Sequence, residues 1–199
     1  MSSLAPHGPT PGATTIGVAI AIPEPWATEL QEYRLDIGDP TAVGVPTHIT
    51  LVPPTEISQP LAEIEEHLEA AAESQEPFRV HLRGTGTFRP VSPVVFIGLA
   101  EGISQCEQLA DAVREGPLAV DLHFPYHPHV TVAHHMSDED LDRAFEELAT
   151  FECVFDVTSF HLYVHQGQTG WKTTRTFALG RSPAREGGRT PTTPTRQTR

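Results

Sequence analysis

Two short stretches of this 199-residue chain carry side chains that could move protons. One is Pro46-Thr47-His48-Ile49-Thr50-Leu51-Val52; the other, with its histidine 81 positions further on, is Pro128-His129-Val130-Thr131-Val132-Ala133-His134. In an extended chain residues two apart share a face. His48 and Thr50 then point one way and Ile49 and Leu51 the other. His129 and Thr131 stand in the same relation to Val130 and Val132. A bare His-x-Thr triplet is expected about once in a chain of this composition, but requiring aliphatic residues at both apolar positions lowers the expectation to roughly 0.05. Two are present.

Imidazole exchanges a proton near neutral pH, because its ordinary pKa is about 6.5. One imidazole on each side of a phosphorus atom allows one to deprotonate an attacking oxygen while the other protonates the leaving oxygen. Displacement at phosphorus places those two oxygens roughly in line, so opposed rings suit it. A hydroxyl two residues from each histidine can donate to a non-bridging oxygen, where charge accumulates. The chemistry needs no metal and no organic cofactor. Its natural substrates are cyclic phosphodiesters, opened by water or by a ribose hydroxyl, or formed in the reverse direction. The roles of the two histidines exchange with direction, so neither is assigned here as acid or base.

The elements that must position these residues follow from periodicity and punctuation. Thr15 to Ile22 is a central strand, and a helix from Pro25 or Trp26 to about Asp36 turns Trp26, Leu30 and Tyr33 inward. The first motif strand ends at Pro53-Pro54. Ser58 caps a helix with Leu61, Ile64 and Leu68 on one stripe. Strands follow at Phe78–Gly84 and Val94–Leu99; Arg79 and Arg83 are read as a solvated face. Ser104 and Glu107 form a capping box for a helix that buries Cys106, Leu109, Ala110 and Val113. Ser137 starts another helix, with Leu141, Phe145 and Leu148 toward the core. The phase change around Ser159, between Phe151–Val157 and Phe160–Val164, predicts a bulge. A last strand covers Thr173–Leu179. Strand–helix–strand–helix–strand therefore occurs twice. That order predicts an α+β protein of two pseudo-symmetric lobes, with antiparallel sheets around a central cleft and helices on the outside.

Residues 1–14 read as a flexible leader, 15–180 as a single two-lobed domain, and 181–199 as a disordered basic tail rich in Thr, Pro and Arg. Five Arg and one Glu lie from Arg181 onward, which leaves 8 of the 13 basic and 25 of the 26 acidic side chains in residues 1–180. Such a surface repels long polyanions, since affinity for nucleic acid rests largely on cations. No apolar run approaches the 18 to 20 or so residues of a membrane span. The N-terminus lacks the pattern of a secretory signal, and two cysteines make no disulfide framework. The expectation is a cytoplasmic monomer with no membrane partner.

The chain resembles the 2H phosphoesterases, and within them the group of 2′-5′ RNA ligases and RNA 2′,3′-cyclic phosphodiesterases. The resemblance covers roughly residues 15–180. It is carried by Pro46 to Pro54, by Pro128 to Ala133, by the Gly86-Thr87-Phe88 turn and by Trp171 to Gly180. It implies His48 and His129 as the acid/base pair and Thr50 and Thr131 as phosphate donors. It implies an RNA-processing hydrolase that opens cyclic phosphates on RNA ends or small nucleotides, with 2′-5′ ligation as the reversal. Many members have Arg soon after the second motif, where this chain has His134, so a permanent cation is missing and His134 is placed at the substrate. Phe124 and Tyr126 are candidates for stacking on a nucleobase, with packing at a strand entrance as the alternative. A zinc site among His123, His127, His129, His134 and His135 lacks carboxylate or thiol ligands at suitable spacing. Two rival readings stand beside the enzyme: a non-catalytic module that binds nucleotides or RNA ends, and an interaction protein that works through its tail.

Overall fold

The structure is a computed structural model that describes residues 14–119, 124–167 and 170–180. Strand β1 (Thr14–Ala21), helix α1 (Trp26–Asp36), β2 (His48–Ile57), α2 (Leu61–Glu73) and β3 (Phe78–Thr87) come first. Then follow β4 (Val94–Glu101), α3 (Ile103–Val113), β5 (His129–His134), α4 (Asp138–Glu147), β6 (Glu152–Val157), β7 (Ser159–His165) and β8 (Trp171–Ala178). All eight strands pair antiparallel in the order β6-β3-β4-β5-β2-β1-β7-β8.

The sheet is two four-stranded halves joined where the motif strands meet. β2 and β5 share a single bridged pair, Ile49 with Val130. Helices α2 and α3 lie against β8 and β2, while α1 and α4 lie against β5, β4 and β3. Ile49, Leu51, Val130 and Val132 are fully buried in one continuous core with Leu30, Ile64, Leu68, Leu109 and Leu141 from the four helices. That burial commits the opposite face of both motif strands to the cleft. The lobes do not coincide with the halves of the sequence: β3 joins β4 and β5, and β7 and β8 return to β1. No helix of the described residues is long and apolar enough to cross a membrane.

Several boundaries differ from those expected. β2 does not stop at Pro53-Pro54 but runs on to Ile57. Between the pairs Ile16–Thr55 and Val18–Val52 one residue of β1, Gly17, faces both prolines. An irregularity of that kind makes no ladder bond there, so two missing N–H groups cost nothing. The phase change near Ser159 is not a bulge within one strand. β6 pairs with β3 in one lobe and β7 with β1 in the other, so the chain crosses between lobes at Thr158. Helix α2 begins after Pro60, without a side-chain cap from Ser58. Phe145 is 36% exposed, at the edge of the face expected to be inward. Strand β1 begins at Thr14; the rest of the expected leader and the whole tail, residues 1–13 and 181–199, lie outside the described residues.

Helix α3 also starts one residue before its expected cap. Its N-cap is Gly102 at φ +91°, with no side-chain cap. A β-carbon on Gly102 would lie 2.6 Å from the Arg79 carbonyl oxygen. Both strain and contact therefore demand glycine there. Gly102→Ala should destabilise the chain by about 1–3 kcal/mol, whereas Ser104→Ala should stay within about 0.5 kcal/mol of wild type. Equilibrium denaturation in urea distinguishes the two positions.

Candidate active site

The site is built by the Ile49–Val130 pair. Antiparallel pairing advances one strand as the other retreats, so His48 comes to lie across from Thr131 and Thr50 across from His129. The four side chains share one face because strands alternate. Each histidine therefore sits beside the other strand's threonine, and the two rings lie diagonally across the junction.

Both rings are anchored in the same way. His48 Nδ1–H donates to the Pro46 carbonyl at 2.7 Å, and His129 Nδ1–H donates to the His127 carbonyl at 2.7 Å. A carbonyl can only accept, so each neutral ring must carry its proton on Nδ1. That leaves Nε2 of each ring as the basic atom. The Thr50 hydroxyl donates to His48 Nε2 at 3.1 Å, so this hydroxyl must turn before it can serve a phosphate oxygen.

Burial pushes both imidazoles below their ordinary pKa of 6.5. The backbone carbonyls pull the other way but do not win. His129 is lowered further by the charges of His127 and His48, and His48 by that of Arg34. Phe88 meets His129 edge-on at 4.9 Å between centroids, and Phe96 lies 5.2 Å away. These rings supply the dry wall that disfavours imidazolium.

A cavity of about 310 Å³ opens beside His48, and Thr50, Thr131 and His134 line it as well. His134 reaches this face through a bulge. β4 pairs Phe96 with Thr131 and Val95 with Ala133, so Val132 is an extra residue. Val132 and Ala133 both turn inward, and the next residue emerges toward the cleft. Burial and the neighbouring His135, stacked at 3.7 Å, lower the pKa of His134.

Tyr126 and Phe124 do not line this cavity. The Tyr126 hydroxyl donates to the Thr50 carbonyl at 2.9 Å, and the Arg114 guanidinium lies 4.2 Å over its ring. Tyr126 thus ties the second motif's approach to the first motif strand. Phe124 is 66% exposed. Of the histidines weighed for zinc, His123 lies outside the described residues. Among the described residues no group of three or more His, Cys, Asp or Glu is placed to hold a metal ion.

Reading the sequence missed Arg34, Tyr163 and Gly17, which also line the cavity, and any role for Trp171 there. Arg34 is buried and paired with Asp39 at 3.0 Å. It donates to the Val45 carbonyl at 2.7 Å and to the Thr41 hydroxyl at 2.9 Å, while Gln31 accepts from Thr47 N–H at 3.1 Å. Helix α1 thereby fixes the loop that delivers His48. No acidic residue stands three or four positions from Arg34 along α1, and nothing local marks it, so only the fold reveals this use.

The profile of the 2′-5′ RNA ligase superfamily matches residues 22–169. The chain belongs to this superfamily. A Bacillus cytotoxicus protein that carries a phosphoesterase name is 29% identical over 146 residues, covering 72% of this chain and 84% of that one. An Oceanobacillus iheyensis relative with the same kind of name is 28% identical over 146 residues, covering 72% and 85%. Among solved structures, Escherichia coli LigT complexed with 3′-AMP superposes with a TM-score of 0.59, covering 85% of this chain and 99% of that one at 24% identity. A Thermus thermophilus protein gives 0.57, covering 84% and 100% at 24% identity. The two-lobed fold is thus that of the superfamily, and membership sets phosphoester chemistry as the activity class.

The two anchored rings make a testable prediction. In ¹⁵N–¹H imidazole spectra His48 and His129 should appear as Nδ1–H tautomers and protonate only below about pH 6.5. Unfolding returns both to ordinary values, so between pH 6.5 and their lowered pKa the unfolded chain holds more protons. Stability should therefore be unaffected by these groups above pH 6.5 and fall as the pH drops below it.

Proposed function

We propose that the chain is a metal-independent phosphoesterase that opens 2′,3′-cyclic phosphates, on RNA ends or small nucleotides, with His48 and His129 as the acid/base pair. The observation that carries this reading is the diagonal placement of two identically anchored imidazoles on one open face. Water attacks phosphorus from one flank, giving its proton to a neutral Nε2. The ester oxygen departs from the other flank, taking a proton from the second ring. Thr50 and Thr131 donate to the non-bridging oxygens. Ligation forming a 2′-5′ bond is the same path reversed, with a ribose hydroxyl in place of water. The 3′-AMP and phosphate seen in complexes of LigT, a protein of the same fold, support a nucleotide as the partner.

Turnover requires one ring protonated and the other neutral. Because both pKa values are lowered from 6.5, kcat/KM of the free enzyme should follow a bell whose centre lies on the acid side of about 6.5. Incubation with nucleoside 2′,3′-cyclic phosphates in the presence of a chelator should yield phosphomonoesters. His48→Ala and His129→Ala should each lower kcat by roughly 10²–10⁴. Nucleotide binding without turnover would make the chain a binding module instead, and turnover that survives either substitution would remove the paired-histidine mechanism.

A further inference from the structure

Tyr126 and Arg114 line no part of the cleft cavity, yet between them they hold the backbone of both motifs. Each motif strand pairs along its length with its outer neighbour, β2 with β1 and β5 with β4, but the two meet at Ile49 and Val130 alone. One bridged pair fixes a point and not an angle. Beyond that point side chains span the junction. Leu51 is fully buried and has no partner residue in β1 or β5, so its carbonyl needs a donor from elsewhere. Arg114, the residue that ends α3, supplies it: its Nε–H donates at 2.7 Å. The guanidinium carbon lies 4.2 Å over the Tyr126 ring, a cation–π arrangement. The Tyr126 hydroxyl in turn donates to the Thr50 carbonyl at 2.9 Å. Arg114 and Thr50 belong to the first lobe, whereas Tyr126 lies in the chain that enters β5, three residues before His129.

Resting on the phosphoesterase reading above, we infer that Arg114 and Tyr126 are positioning residues, a strut across the lobe junction that sets the distance and angle between the two imidazoles. Both of its ends reach the rings. The residue after Tyr126 is His127, whose carbonyl accepts from His129 Nδ1–H at 2.7 Å. Thr50, whose carbonyl the strut holds, carries the hydroxyl that donates to His48 Nε2 at 3.1 Å. A shift of Tyr126 therefore moves the anchor of one ring relative to the neighbour of the other. Neither strut residue touches the reacting atoms. The phenol oxygen is its narrowest part: without it the ring still packs and Arg114 still stacks, but the second lobe loses this bond to the first motif strand. A misplacement of about 1 Å caused by a distant substitution can cost about 10²-fold in rate, so a single hydrogen bond here has more leverage on turnover than on folding.

Tyr126→Phe removes one oxygen and keeps the ring on Arg114. With a nucleoside 2′,3′-cyclic phosphate it should lower kcat by roughly ten- to a hundredfold and leave KM within about twofold. In ¹⁵N–¹H imidazole spectra His129 should lose its single Nδ1–H tautomer and show a mixture with the Nε2–H form. Arg114→Met should behave likewise, and the double variant should lose less than the product of the two single losses, as residues of one network do. Ile64→Val serves as the control. It removes one buried methyl group from α2, away from the cleft, and costs a loss of urea resistance comparable to that of a hydrogen bond. It should leave kcat and the tautomers at wild-type values. The strut is overturned by a Tyr126→Phe variant that keeps the wild-type tautomer, by one that keeps the kcat of an active wild type, by single losses that multiply, or by an equal loss of kcat in Ile64→Val. A wild type inert toward cyclic phosphates overturns the phosphoesterase reading instead, and the tautomer signals of Tyr126→Phe still decide on the strut.

Discussion

Everything in the cleft depends on one bridged pair in the middle of an eight-stranded sheet. Ile49 and Val130 are wholly buried, and each fully buried aliphatic side chain contributes about 1.5–3 kcal/mol. Because strands alternate, burying those two residues obliges their neighbours on either side to face outward. A slip of one residue in either motif strand would bury a histidine and a threonine and expose the aliphatic side chains. The hydrophobic effect, which is not directional, here fixes the direction of four polar groups. The helices supply the core that makes the slip costly.

Electrostatics then prepares those groups without adding permanent charge at the rings. Each imidazole gives its Nδ1 proton to a backbone carbonyl two residues upstream, which selects the tautomer and aims Nε2 into the cleft. Burial keeps both rings neutral at pH 7. A pair of imidazolium ions side by side would be costly in a dry site, and a pair of fixed neutral rings lacks only one proton for the proposed chemistry. In that proposal the substrate's negative charge would favour uptake of the proton on binding. Under the same proposal a chain with formal charge −13 would meet an anionic phosphodiester without a basic surface.

The parts of this arrangement that are local in sequence were legible in it. Alternation identified both motif strands and their outward faces, and helical spacing identified the buried stripe of Cys106, Leu109, Ala110 and Val113. Ser137 was recognisable as a cap because its bond to Asp140 N–H spans three residues. What depended on distant partners was not legible. Prolines 53 and 54 signal a stop unless one knows that Gly17 faces them across an irregularity. Gly102 stands at the cap of α3, where Arg79 of β3 passes within contact distance, and Ser104 falls inside the helix. The phase change at Ser159 fits a bulge or a crossover equally well until pairing partners are assigned. Arg34 and Tyr163 carry no local pattern, and their place at the cavity follows from which loops pack together.

The two lobes also differ in how they complete a common plan. Both motif strands carry an extra residue at the same point, Leu51 in β2 and Val132 in β5, and both place two consecutive residues inside. In the second lobe the next outward residue is His134; in the first it is Pro53. The titratable group is thus present once, on the lobe whose own pocket is filled by Phe88 and Phe96, and it faces the cavity of the other lobe. Arg34 approaches that cavity from α1, but Asp39 neutralises it and Thr41 and Val45 occupy much of its donor fork. A bare guanidinium there would hold any phosphate strongly. The paired one holds a loop instead, and under the proposed function the anion would be left to the hydroxyls and to whichever imidazole is protonated. Binding of that proposed kind would weaken as pH rises.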